Sequence, residues 1–232
     1  MSFRDPRGWF GIVVVACAVA CGTGNAPPSE SPRATPSAST PAPVSATSSR
    51  PKIVALGDSL TAGLGLTMDQ AYPSLLQRRI DAEQLGFDVV NAGVSGDTSA
   101  GGLSRLEWTL DGDVRVLIVA LGGNDALRGL PVSALEQNLS TIIEQAEARH
   151  IRVLLAGMEA PPNFGETYTT AFHEVYPRLA KKYGITFVPF LLQNVAGIDT
   201  LNQRDGIHPT AEGARMVADN LWPALRSLLS SP

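Results

Sequence analysis

The folded part of this chain is predicted to be an α/β domain, a three-layer α/β/α sandwich around a central five-stranded parallel sheet with flavodoxin-like strand order. From Lys52 onward, five short runs rich in Val, Ile and Leu alternate with stretches of helical periodicity. Strand-helix alternation of this kind builds a parallel sheet covered on both faces, and right-handed crossovers wind it doubly. Glycine-bearing segments follow the first three runs, on the sheet edge where open α/β folds bind ligands.

In chain order, the strand candidates are Lys52 to Leu56, Phe87 to Asn91, Val114 to Leu121, Ile151 to Leu155 and Ile185 to Val188. Between them, helical spacing covers Tyr72 to Leu85, Leu103 to Leu110, Val132 to His150 and Tyr168 to Tyr183, and a last helix runs from Ala211 to Leu229. Within the second helix Leu103, Leu106 and Leu110 share one face by the three-and-four rule. The chain contains no internal repeat.

At 232 residues and 44% hydrophobic content, the chain can bury one sizeable core. A formal net charge of −4 argues against nucleic acid or an anionic bilayer as the main partner, since both reward basic patches. The two cysteines, Cys17 and Cys21, lie in an N-terminal apolar stretch, so the folded region has neither an internal disulfide nor thiol chemistry.

That stretch reads as an export signal spanning 1–21. Arg4 and Arg7 form a basic start, and Trp9 to Ala20 form an apolar run that is short of the roughly 20 residues a membrane span needs. Its end, Ala18-Val19-Ala20-Cys21-Gly22, resembles a bacterial lipobox with Cys21 as the lipidated residue. A plain cleaved signal is the alternative, and both readings export the protein to the bacterial cell envelope, facing the periplasm or the exterior. Residues 22–51 turn to Pro, Ser, Thr and Ala, a composition that cannot offset its ordering entropy and reads as a disordered tether. Residues 52–232 form the remaining domain.

Two segments carry the chemistry. Gly57-Asp58-Ser59-Leu60 closes the first strand, and Asp205-Gly206-Ile207-His208 precedes the last helix. Either is explicable locally: Asp58 or Ser59 as a helix cap, Asp205 with His208 as a turn-shaping pair. Ser59 is not in a Gly-x-Ser-x-Gly elbow, because residue 61 is Thr61. Of the three histidines, His150 ends a predicted helix and His173 lies inside one, whereas His208 sits in a loop with Asp205 placed to fix its tautomer. Asn91 to Thr98 and Gly122-Gly123-Asn124-Asp125 offer backbone N–H groups and an uncharged amide, the parts of an oxyanion hole. Both are also ordinary glycine-rich βα turns.

Taken together, four ordered blocks resemble the SGNH hydrolases, also called GDSL esterases, and specifically their bacterial thioesterase I/arylesterase/lysophospholipase branch. They are Gly57 to Gly63, Ser95 to Ser99, Leu121 to Asp125 with Leu127-Arg128-Gly129, and Asp205 to Pro209. The resemblance implies Ser59 as nucleophile, His208 as general base and later acid, and Asp205 as the residue orienting the imidazole. It also implies an oxyanion hole of the Ser59 and Gly96 N–H groups with the Asn124 amide, and no metal or organic cofactor. The loop holding Pro161, Pro162, Asn163 and Phe164 is expected to line an acyl groove. A monomer acting on small acyl esters or thioesters, touching membrane only through its lipid anchor, is the implied whole. An O-acetyl esterase of polysaccharide, or a non-catalytic lipid- or glycan-binding module, is the alternative.

Overall fold

The computed structural model describes residues 50–230; the signal segment, Cys21 and the tether up to residue 49 lie outside the described residues. Five parallel strands, β1 (Lys52–Gly57), β2 (Asp88–Gly93), β3 (Val114–Ala120), β4 (Arg152–Ala156) and β5 (Thr186–Val188), line up in the order β2-β1-β3-β4-β5. The chain steps outward from β1 to β2, then returns across β1 to lay down β3. The reversal leaves a crevice beyond the carboxyl ends of β1 and β3, where a doubly wound sheet binds its ligand.

Around the sheet run α1 (Ser59–Ala62), α2 (Tyr72–Ala82), α3 (Ser99–Ser104), α4 (Leu106–Thr109), α5 (Gly123–Leu127), α6 (Val132–Ala148), α7 (Glu166–Tyr183) and α8 (Ala211–Ser230). Helices α2 and α8 pack together, and α6 packs against both α3 and α7, which gives the sheet its two helical layers. Helical spacing explains the buried faces: Leu75, Leu76 and Ile80 on α2, Leu135, Leu139, Ile142 and Ile143 on α6, Phe172, Val175, Tyr176 and Leu179 on α7. The central strands β1 and β3 are buried on both faces from Ile53 to Leu56 and Val116 to Ala120, so they read as continuous apolar runs. Each such Leu or Ile contributes about 1.5–3 kcal/mol through its removal from water. Among the described residues no helix is long and apolar enough to cross a membrane.

Three departures from the sequence reading have a clear local cause. Leu103 to Leu110 is not one helix: α3 ends at Ser104 and α4 begins at Leu106. The break is at Arg105, whose guanidinium turns inward to Asp97 and to the Gly57 carbonyl. Strand β2 continues past Asn91 to Gly93 because its register with β1 runs on to Gly57. Helix α6 stops at Ala148, and His150 takes a left-handed φ of 58° while the Ile151 N–H reaches back to the Ala146 carbonyl, which caps the open carbonyls.

Candidate active site

Glycine makes the close turn at the end of β1 possible. A Cβ on Gly57 would lie 1.9 Å from Thr61 Oγ1 and 2.9 Å from the Ala120 carbonyl oxygen, so the chain can pass between β3 and α1 only without a side chain. Asp58 then caps α1, accepting the Leu60 N–H at 3.0 Å, and Ser59 opens the helix. The capping reading and the chemical reading of this segment therefore both describe it: the cap is what aims the serine.

His208 arrives from the other end of the chain. Its loop is fastened by Gln203, whose backbone N–H meets the His208 carbonyl at 2.7 Å. The Gln203 side-chain amide donates to the Pro209 carbonyl at 2.9 Å and, across the crevice, to the Leu64 carbonyl at 2.7 Å. The serine loop and the histidine loop are thus bolted to each other. His208 Nε2 lies 2.9 Å from Ser59 Oγ, and its Nδ1 lies 2.8 Å from Asp205 Oδ2. With the ring proton on Nδ1 facing the carboxylate, Nε2 accepts from the serine hydroxyl. Asp205 Oδ1 accepts the backbone N–H groups of Ile207 (2.9 Å) and His208 (3.0 Å). Those two N–H groups and the His208 ring hold its carboxyl down at about 2, so it is charged throughout the range in which imidazoles titrate.

The glycine-bearing loops after β2 and β3 converge on the same place. Gly122 precedes α5 with φ 118°, and a Cβ there would collide with the Tyr176 hydroxyl at 2.0 Å, a group that donates to the Leu121 carbonyl from within the core. Beyond it, Asn124 donates through Nδ2 to the Asp97 carbonyl at 3.0 Å and to Asp58 Oδ2 at 3.2 Å. Next in sequence, buried Asp125 accepts the Ser99 N–H at 2.8 Å and its hydroxyl at 2.5 Å. The two loops are therefore cross-linked by neighbouring side chains, and Gly96 lies in the wall of the same cavity as Ser59, Asn124 and His208.

That cavity measures about 560 Å³ and is walled largely by apolar groups, among them Leu60, Leu64, Leu127, Met158, Phe190 and Ile207. A concave, apolar pocket with a few convergent polar groups suits a small organic ligand. Pro161 and Pro162 form part of its wall, whereas Asn163 and Phe164 do not. The Phe164 ring instead lies tilted against Tyr168 with centroids 5.4 Å apart and sits over Gly129, tying the loop to α7 and to the turn after α5. Of the four residues expected to line a groove, Pro161 and Pro162 stand in the cavity wall.

Several members of the site escaped the sequence reading. Asp58 was legible only as a cap, yet it is a nearly buried carboxylate facing Asn124. Burial pushes it up to about 6, against the opposing Leu60 N–H, His208 and Asn124. Gln203 carries no motif, and the apolar wall is assembled from five separate segments. Arg105 and Ser99 lie within or beside the quoted blocks, so their position was the available signal.

The raised Asp58 pKa has a defined sign. Between about pH 4, the ordinary carboxylate range, and about pH 6 the folded protein holds a proton here that the unfolded chain has lost. This group's contribution to stability therefore falls as pH rises through that window. Asp58→Asn, which cannot ionise, is expected to gain stability relative to wild type between pH 4.5 and pH 8, as urea midpoints would show. A pH-independent gap between the two proteins would contradict the assignment.

The GDSL-like Lipase/Acylhydrolase family profile matches residues 55–216. The chain belongs to that family. It is 43% identical over 178 residues to Esterase TesA of Pseudomonas aeruginosa, an alignment covering 76% of this chain and 89% of that protein. It is 38% identical over 179 residues to Thioesterase 1/protease 1/lysophospholipase L1 of Escherichia coli, covering 77% and 85% respectively. Among solved structures, the esterase EstA from Pseudoalteromonas, in a form inhibited by monoethylphosphonate, superposes with a TM-score of 0.73 at 30% identity, covering 78% of this chain and 99% of that one. All four sequence blocks fall inside the matched span.

Proposed function

We propose that this GDSL-family chain is a serine hydrolase of carboxylic esters and thioesters, with Ser59 as nucleophile, His208 as general base and Asp205 as its orienting carboxylate. The observation that carries the reading is the unbroken relay Ser59 Oγ–His208 Nε2, His208 Nδ1–Asp205 at 2.9 and 2.8 Å, placed at the wall of a largely apolar cavity. His208 takes the hydroxyl proton as Ser59 Oγ attacks the carbonyl carbon, and the imidazolium so formed is stabilised by Asp205. The tetrahedral oxyanion is received by the Ser59 and Gly96 N–H groups and by Asn124. Both Asn124 amide hydrogens are engaged in the free protein, so the oxyanion takes over the longer bond, the one to Asp58. His208 then returns the proton to the leaving group, and water repeats the sequence on the acyl-serine.

The size and apolarity of the cavity favour acyl groups longer than acetyl, which sets the esterase and thioesterase reading above the O-acetyl esterase. The N-terminal sequence supports a place for the reaction: export, with Cys21 as lipid anchor and a Pro/Ser/Thr-rich tether holding the domain in the cell envelope. Turnover of p-nitrophenyl butyrate, acyl-CoA, lysophospholipid and acetylated sugar by the fragment from Lys52 tests the reading. Hydrolysis of the acyl esters well above the acetylated sugar is expected. Preference for the acetylated sugar, with negligible action on longer chains, would overturn it.

A further inference from the structure

The cavity wall carries two carboxylates that the hydrolytic relay does not use, Asp58 and Glu159. Glu159 follows Met158 just beyond β4, on the same sheet edge as Ser59, and lines the cavity. Its Oε1 is fixed at 2.6 Å from His173 Nδ1 on α7, and the side chain keeps 39% of its surface exposed. The other acidic side chain in the wall, Asp58, is buried and occupied by Leu60 and Asn124. Among the described residues, no lysine or arginine lines the cavity. Arg128 stands nearby with its guanidinium on the Gly96 carbonyl, outside the wall. A ligand seated beside Ser59 therefore meets a carboxylate at the partly exposed edge of an otherwise apolar wall.

We propose that Glu159 is a specificity-determining residue that selects esters bearing a positive charge, such as a quaternary ammonium group, over esters whose leaving group is anionic. This deepens the hydrolase reading and rests on it. His173 sets where the charge sits by holding Oε1, and the exposed part of the carboxylate then takes the cation. An anionic leaving group such as coenzyme A meets no balancing cation in the wall and is disfavoured by the same charge.

The test compares three butyryl substrates at about pH 8, above the usual histidine range: butyrylthiocholine, neutral p-nitrophenyl butyrate and butyryl-CoA. In Glu159→Gln the kcat/KM ratio of thiocholine to nitrophenyl ester is expected to fall about fivefold, the scale of a partly exposed charge pair, and the ratio of CoA to nitrophenyl ester to rise. Glu159→Lys should carry both shifts further in the same directions, and added salt should shrink the wild-type preference. Ratios unchanged in both variants, or a parallel fall on all three substrates, would overturn the role of Glu159. Failure of folded wild type to hydrolyse any of the three would instead overturn the hydrolase reading, and this inference with it.

Discussion

Replacement of Ser59 by alanine is expected to lower kcat on the order of 10⁴-fold or more, the loss seen when a nucleophile acting as part of a relay is removed. The Ser59 hydroxyl makes one side-chain hydrogen bond, to His208. Its removal should therefore change unfolding free energy by no more than about 1 kcal/mol, and the loss of rate is a loss of chemistry and not of fold. Initial rates on p-nitrophenyl butyrate, with a urea melt of the same sample, check both halves. An alanine variant turning over within tenfold of wild type would place the nucleophile elsewhere.

Asn124→Ala should follow with a smaller effect of a different kind. Loss of one oxyanion donor costs about 2.7–4 kcal/mol in the barrier, or 10²–10³ in kcat. In the proposed mechanism the amide meets the developing charge and not the ground-state carbonyl, so the loss should fall on kcat with KM nearly constant. A stability loss of about 1–3 kcal/mol accompanies it, since Asp58 Oδ2 and the Asp97 carbonyl each lose a donor. A near-normal kcat would remove Asn124 from the mechanism, and an effect confined to KM would recast it as a binding contact.

The backbone of this fold is legible in the sequence because its signals are local. Doubly buried strands must be apolar throughout, and Ile53 to Leu56 and Val116 to Ala120 are; helices must show one apolar stripe, and α2, α6 and α7 do. The prediction fails where a single side chain overrides that pattern. Leu103, Leu106 and Leu110 keep helical spacing, but Arg105 leaves the helix to reach Asp97 and Gly57, an attraction from a distant part of the chain. Site legibility divides the same way. Ser59, Gly96, Asn124, Asp205 and His208 sit in short ordered blocks, and the fold gathers them on one sheet edge. The cavity wall has no such signature: Leu64, Met158, Phe190 and Ile207 are ordinary apolar residues until the strand order brings their loops together. Phe164 shows the converse, an aromatic residue in a loop beside the pocket that spends its ring on Tyr168.

The two acidic residues nearest the serine are shifted in opposite directions. Asp205 is kept charged by backbone N–H groups and by His208, which suits a partner for an imidazolium. Asp58 is pushed up to about 6 by burial, beside the Asn124 amide that donates to it.

The central claim, an acyl-enzyme formed on Ser59, is tested most directly by labelling the folded fragment from Lys52 with a fluorophosphonate and locating the adduct by peptide mass spectrometry. A single adduct on Ser59, absent from the Ser59→Ala protein, is the expected result; no adduct on folded protein, or equal labelling of the alanine variant, would contradict it.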